Sequence, residues 1–441
     1  MTSSVAFSNN IVSTIAATIT MDSHNVSLMR RFLSFCSSRK HATCFLVLLT
    51  MVAGVAQSSQ SSSLELVTKQ DKIKGAFFGA LVADALCLGS HYEYDAHKIY
   101  EAYGEEPISK YMAPGEKMGG QTHGVGWGQR NYHPGTKAGD QTDYGEYNIL
   151  VLEYLVSKEQ HKHSRKNSPY STSFNVEEFL PIWSIRLVHN WKQWRCTQTK
   201  RALQLYKQQG VTDEKQLGGP SNAMALRYAA VFAFYDDSAT GEDQAVDAAL
   251  KSMFTHSERT AKLGCEFFAR VTYRIIHNDL KPSQAIAEVS EQMGGWIASK
   301  VRQAMEKVSE ATDPDQPLSK ELFVDDLALT SMARLWDVGK SEPIKVGKAS
   351  PTEGTLPGSV YFILKYENDF LEAVQNNAMV GGDNASRSIA VGMVLGAYHG
   401  VNAIPENLKK GLSNWEHCEP LLDALPVLVK ANGQQGTNSE L

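Results

Sequence analysis

The 441-residue sequence lacks an excess of basic charge: 43 Lys and Arg stand against 48 Asp and Glu, a formal net charge of -5. Without a basic footprint there is no electrostatic ground for binding a nucleic-acid phosphate backbone. Cysteine is sparse, with six residues and no Cys-x-x-Cys pair, which removes a thiolate zinc site and a dense disulfide framework. No Gly-Lys-Ser/Thr follows the glycine-rich stretch, so a nucleotide P-loop is excluded. Alternating runs of strand length are scarce, and no repeat period of about twenty to fifty residues recurs, which excludes a solenoid. What is present is 42% apolar content with 21% charge, the balance of a globular chain.

Residues 1–63 differ from the rest. They are rich in Ser and Thr, carry Arg30, Arg31, Arg39 and Lys40, and contain a single acidic residue, Asp22. Within them "ATCFLVLLTMVAGV" (residues 42–55) has the length of a signal-peptide apolar region and is short for a membrane span. Translation from Met29 would give a compact basic leader. The segment reads as a secretory signal cleaved near Ala56, with a signal anchor as the other possibility, and the expected address is the secretory pathway or the extracellular space. Cys36 and Cys44 would leave with it. Cys87, Cys196, Cys265 and Cys418 are expected as buried free thiols, with one or two bridges as the alternative.

Residues 64–441 read as one all-α domain. Apolar residues recur at helical spacing in "IKGAFFGALVADALCLG", "YNILVLEYLV", "AMALRYAAVFAFY" and "LGCEFFARVTYRII". Pro181, Pro220, Pro282, Pro343, Pro351 and Pro405 punctuate them. The polar, basic "HKHSRKNSPYSTSF" (residues 161–174) reads as a solvated loop. A second interruption, residues 113–146, is too glycine-rich for a helix and too long for an ordinary connection. It has the character of a binding-site lid, and its His123 and His133 are either substrate contacts or plain loop histidines.

Four stretches place polar residues at the ends of apolar helices: "GALVADALCLGSHYEYD" (79–95), "GDQTDYGEYNILVLEYL" (139–155), "SNAMALRYAA" (221–230) and "MVGGDNASRSIAVG" (379–392). In the last, two glycines break one helix, and Asp383 or Asn384 can cap the next. The same geometry suits a hard cation and a substrate oxygen, because Asp383 and the Ser386 hydroxyl lie a turn apart at a helix start. Glu93, Thr142, Asp143 and Asp383 gathered at one end of a bundle would repel one another unless a cation neutralised them. Magnesium is the ion this oxygen-rich set suggests.

In order along residues 71–405, these stretches resemble the ADP-ribosylglycohydrolase family, and within it the branch around the jellyfish J-type crystallins. "GALVADALCLGSHYE" is similar to the family's opening helix and ends in the matching Glu93. "QTDYGE" stands where the family has Thr-Asp-Asp-Thr, and "PSNAMALRYAAVFAF" is similar to its Gly-Asn-Gly-x-x-Met-Arg-x-x-Pro segment. "MFTHSERTAKLGCEFFA" resembles its Thr-His helix pair. "GGDNASRSIAVGMVLGAYHGVNAIP" stands for its Gly-Gly-Asp-x-Asp-Thr stretch. The resemblance implies an all-α fold, a binuclear Mg²⁺ centre, and hydrolysis of the ribose C1″ bond of an ADP-ribosylated protein or small molecule. Carried over by position, the metal shell is Glu93, Thr142, Asp143, Asp383 and Ser386, with Glu93 and Asp143 as catalytic carboxylates. Asn222, His123, Gly382 and Arg387 are the expected substrate contacts.

Two ligands of that shell do not match. Tyr144 stands at the second aspartate of the first motif and Ala385 at that of the last. A phenol with a pKa near ~10 offers no ready anion at neutral pH, and a methyl offers no oxygen. At least one Mg²⁺ is therefore expected to be weakened or lost, while Arg387 either replaces a cation as a clamp or serves as an ion-pair residue on the first helical turn. Asn384-Ala385-Ser386 also spells a glycosylation sequon, which burial would leave unmodified. Three functions follow as expectations. The first is a hydrolase with an altered metal centre, the second a non-catalytic ligand-binding or structural relative, and the third a hydrolase of another glycoside.

Overall fold

The computed structural model describes residues 67–104, 106–117, 133–164, 173–332, 335–336, 344–345 and 348–431. The expected signal segment with Cys36 and Cys44, and His123, lie outside these residues.

The described chain is helical, as its apolar periodicity implies. The helices are α1 (Lys69–Cys87), α2 (Ala96–Tyr103), α3 (Asp143–Ser164), α4 (Val176–His189), α5 (Thr197–Gln209), α6 (Glu214–Leu217), α7 (Gly241–Ser252) and α8 (Arg259–His277). They continue as α9 (Pro282–Met293), α10 (Gly295–Thr312), α11 (Val324–Ser331), α12 (Thr352–Lys365), α13 (Phe370–Val380), α14 (Asn384–His399), α15 (Glu406–Gly411) and α16 (Trp415–Asp423). Extended structure is limited among the described residues to one antiparallel pair, Leu335 opposite Lys345 and Trp336 opposite Ile344, and two isolated bridges. None of the described helices is long and apolar enough to cross a membrane.

Helices α1 and α14 form the centre of this arrangement. Thr68 and Asp71 close a capping box at the start of α1, satisfying two backbone N–H groups there. Beyond the first turn α1 is buried almost all round, and α14 is buried from Asn384 to Ala397. A helix apolar on every face belongs inside a protein rather than on its surface. The two cross closely because glycines interleave: a Cβ on Gly75 would lie 2.1 Å from the Gly396 carbonyl, and one on Gly392 would lie 2.2 Å from the Gly79 carbonyl. This crossing fixes where the polar ends of both helices meet.

Cys87, Cys196, Cys265 and Cys418 are all free thiols. Burial pushes Cys265 up to about 12 and Cys87 and Cys418 well above the usual thiol range, which makes these three inert.

Candidate functional site

The site lies where the turn after α1 meets the starts of α3 and α14. Its frame is backbone. Tyr92 N–H donates to the Gly382 carbonyl (2.7 Å), Gly382 N–H to the Glu93 carbonyl (2.5 Å) and Asp383 N–H to the Lys348 carbonyl (2.7 Å). Gly382 has φ +69°, and a Cβ there would sit 2.2 Å from the Lys348 carbonyl oxygen. Gly382 thus permits a close backbone approach. Tyr92, at φ 65°, is held in the left-handed region on the other side of this clamp.

The clamp presents Asp383, which is fully buried and caps α14. Its Oδ1 accepts from Ser386 N–H (3.1 Å) and faces His91 Nε2 (3.2 Å), and its Oδ2 accepts from the Tyr144 hydroxyl (2.9 Å). Ser350 adds a side-chain hydrogen bond. Burial alone would raise the Asp383 pKa, but His91, Ser350 and the Ser386 N–H favour the anion and hold it below the usual carboxylate value. Tyr144 is pushed well up, by burial first and by Asp383 next, so its hydroxyl keeps its proton and donates.

Behind Asp383 runs a chain of hydrogen bonds. Trp194 N–H donates to His133 Nδ1 (3.4 Å), and His133 Nε2 lies 2.9 Å from His91 Nδ1. Burial, with the neighbouring His91, pushes the His133 pKa well down, so its ring is neutral. A single proton is shared between His133 Nε2 and His91 Nδ1. His91 Nε2–H is directed at Asp383. The carboxylate therefore receives protein donors on both oxygens.

The remaining expected ligands are committed elsewhere in part. Thr142 donates its hydroxyl (2.6 Å) and its N–H (2.8 Å) to Asp84, a buried carboxylate, and that hydroxyl accepts from Tyr144 N–H (3.2 Å). The Ser386 hydroxyl turns back to the Asp383 carbonyl (3.1 Å). Glu93 Oε1 accepts from Asp95 N–H (2.9 Å). Asp143 Oδ1 is buried with no hydrogen-bond partner, and burial, then Asp383 and Asp84, push its pKa well up against the pull of Arg227. Ala385 is fully buried and brings only its methyl. Among the described residues no three acidic, histidine or cysteine side chains are grouped as a metal shell requires.

Of the expected substrate contacts, Arg387 is fully buried, with Nε on Asn377 Oδ1 (2.9 Å) and Nη2 on the Gly381 carbonyl (2.6 Å), while its Nη1 is buried with no hydrogen-bond partner. Burial pushes its pKa down to about 10. Asn222 donates to Glu353 (2.9 Å), and its carbonyl receives both the N–H and the hydroxyl of Thr352, which ties the 221–230 segment to the start of α12. His133, read as one of two kinds of loop histidine, is a buried member of the relay.

Sequence reasoning missed His91, Asp84 and Arg227. His91 stands two residues before Glu93 in "GSHYE", and only its partner from a distant loop reveals its role. Asp84 is an apolar-run residue by position. Burial raises its pKa to about 7 from 3.8, opposed by the two Thr142 bonds. Its folded value lies above the unfolded one, so its contribution to stability falls as pH rises between those two values. We expect Asp84→Asn to remove about 3 kcal/mol of that pH dependence, read as the change in urea-unfolding free energy from about pH 4.5 to about pH 7.5 in wild type minus that in the variant. Equal slopes would show that Asp84 is ionised throughout.

Residues 65–436 match the profile of the family described as ADP-ribosylglycohydrolase. Crystallin J1A of Tripedalia cystophora is similar at 23% identity over 372 residues, covering 82% of this chain and 98% of that protein. A solved structure described as an ADP-ribosylglycohydrolase-related protein complex is similar in fold, with a TM-score of 0.51 at 20% identity, over 82% of this chain and 98% of that one. With most of its length matched by the profile, the chain belongs to the ADP-ribosylglycohydrolase family.

Proposed function

We propose that this chain is a metal-independent member of its family, a ligand-binding or structural protein of the crystallin-like kind rather than a Mg²⁺-dependent hydrolase. One observation carries this: both carboxylate oxygens of Asp383 are spent on protein donors, His91 and Ser386 on one and Tyr144 on the other. A donor hydrogen occupies the direction from which a cation would approach an oxygen, and two hard cations need several free anionic oxygens at once. Thr142 and Ser386 bring neutral hydroxyls, one donating to Asp84 and the other to the Asp383 carbonyl, and so add no anionic oxygen. The side chains present therefore do not fit a binuclear Mg²⁺ centre. The similarity to crystallin J1A is in keeping with a relative used for its stable helical body.

A second reading, hydrolysis of a ribose C1″ bond in an ADP-ribosylated protein or small molecule with one Mg²⁺, is favoured by the partnerless Asp143 Oδ1. Calorimetry separates the two. Titrating Mg²⁺ into the full chain should give no stoichiometric heat, and any binding of ADP-ribose should be the same with Mg²⁺ and with chelator. Stoichiometric Mg²⁺ binding, chelator-sensitive ADP-ribose binding, or release of ADP-ribose from an ADP-ribosylated protein would overturn the proposal.

A further inference from the structure

A second polar cluster, separate from the Asp383 network, surrounds the one described cysteine that is partly exposed. Cys196 is the N-cap of α5, and its Sγ accepts from Thr199 N–H (3.5 Å). Thr199 Oγ1 lies 3.3 Å from the sulfur and accepts from the Tyr147 hydroxyl (3.1 Å). His256 Nε2 lies 3.7 Å from the sulfur on another side.

The His256 tautomer follows from what stands behind it. Arg227 Nη2 lies 3.4 Å from His256 Nδ1 and Arg227 Nη1 donates to Thr255 (2.9 Å), whose hydroxyl is 2.8 Å from the same Nδ1. A guanidinium only donates, so Nδ1 is an acceptor and the ring proton sits on Nε2, facing Cys196. Burial, reinforced by Arg227 and Lys262, pushes the His256 pKa well down and keeps the ring neutral. Arg227 itself is 3% exposed and stacked 3.8 Å over Tyr147, yet its Nε has no hydrogen-bond partner. An unspent buried donor therefore belongs to the same network as the sulfur. A neutral apolar thiol does not call for a backbone N–H, a hydroxyl and an imidazole N–H around it, with a guanidinium behind the imidazole, whereas a sulfur anion and its oxidised forms do.

From this convergence we infer that Cys196 is a nucleophilic, oxidisable thiol, the site at which this chain reacts with hydroperoxides. In the step, the Cys196 thiolate attacks one peroxide oxygen; the S–O bond forms and the O–O bond breaks. Sulfur is oxidised by two electrons to the sulfenic acid, the peroxide is reduced, and the departing oxygen takes up the proton that the thiol gave to solvent. His256 Nε2–H and the Thr199 donors then hold the sulfenate oxygen. This assignment is independent of the function proposed for the Asp383 site.

The test is peptide-resolved labelling of the full chain with a sulfenic-acid-specific dione after limiting hydrogen peroxide, native and in urea. Environment is separated from mere exposure by the native-to-unfolded rate ratio at each cysteine. We expect that ratio to exceed one at Cys196, and to fall at least ~10-fold below one at the buried Cys87, Cys265 and Cys418. His256→Ala should bring the Cys196 ratio down towards one while circular dichroism reports an intact helical fold. If that variant does not fold, the wild-type ratio alone decides: a value of one or less at Cys196 overturns the inference.

Discussion

Replacing Gly392 by alanine should destabilise the chain by about 3 kcal/mol, the upper end of what an overpacked core site costs, because the new methyl has nowhere to go. Its Cβ would lie 2.2 Å from the Gly79 carbonyl oxygen and 2.7 Å from the Ala83 Cβ, and both belong to α1. Neither is the movable end of a long side chain. Relief requires the two central helices to separate, which would loosen the buried faces of both at once. Alanine is the better helix former by about 1 kcal/mol, so the helix propensity of α14 works in the opposite direction and sharpens the test. The measurement is the urea midpoint of Gly392→Ala against wild type at constant denaturant slope. A change within about 0.5 kcal/mol would mean that α1 and α14 do not cross with backbones in contact.

Much of this fold was legible in sequence because helix periodicity, caps and breakers are local. The capping box at Thr68 and Asp71, Pro282 at the start of α9 and the glycine pair before Asp383 act over a few residues, and the apolar runs within α1, α3 and α8 are helical as read. The run "AMALRYAAVFAFY" (223–235) is not: it is irregular apart from a 3-10 turn at Val231–Ala233, and the distant Asn148 side chain satisfies its Leu226 carbonyl and Ala229 N–H in place of helix bonds. The glycine-rich segment before α3 was legible as irregular, and the helix begins at Asp143, inside the span first taken as loop. Side-chain roles were less legible where they depend on partners far along the chain. Arg387 read either as a clamp for an anion or as an ion-pair residue on the first helical turn; its full burial, with Nε on Asn377 and Nη2 on a carbonyl of the preceding helix end, was not legible. Thr142 read as a metal ligand, and the group that claims its proton, Asp84, hides in an apolar helix. His91 and His133 come together over 42 residues, a pairing no local pattern encodes.

The substitution pair that set this chain apart in sequence offers the sharpest test of what its site has become. Tyr144 donates to Asp383 Oδ2, and Ala385 fills a fully buried position with a methyl, so together they replace two carboxylates by one donor and one apolar contact. Introducing Tyr144→Asp with Ala385→Asp should reverse that chemistry. In chelator the double variant places two more anions beside Asp143 and Asp383 without a counter-charge, and we expect a loss of about 3–5 kcal/mol, the usual cost of uncompensated buried charge. Saturating Mg²⁺ should then restore stability by roughly 3 kcal/mol at about a hundred times its Kd, since an ion bound only by the folded state stabilises it by mass action. Wild type should show no such dependence. Tyr144→Phe is the control: it removes the donor without adding an anion, should cost about 1–3 kcal/mol, and should gain nothing from Mg²⁺. Thermal melts of the three proteins, each with Mg²⁺ and with chelator, distinguish the cases. A wild-type melting temperature that rises with Mg²⁺ would mean Asp383 gives up His91 and Tyr144 to hold a cation. A double variant indifferent to Mg²⁺ would mean the helix starts no longer bring their carboxylates close enough to share one, and that the change in this site extends beyond two residues.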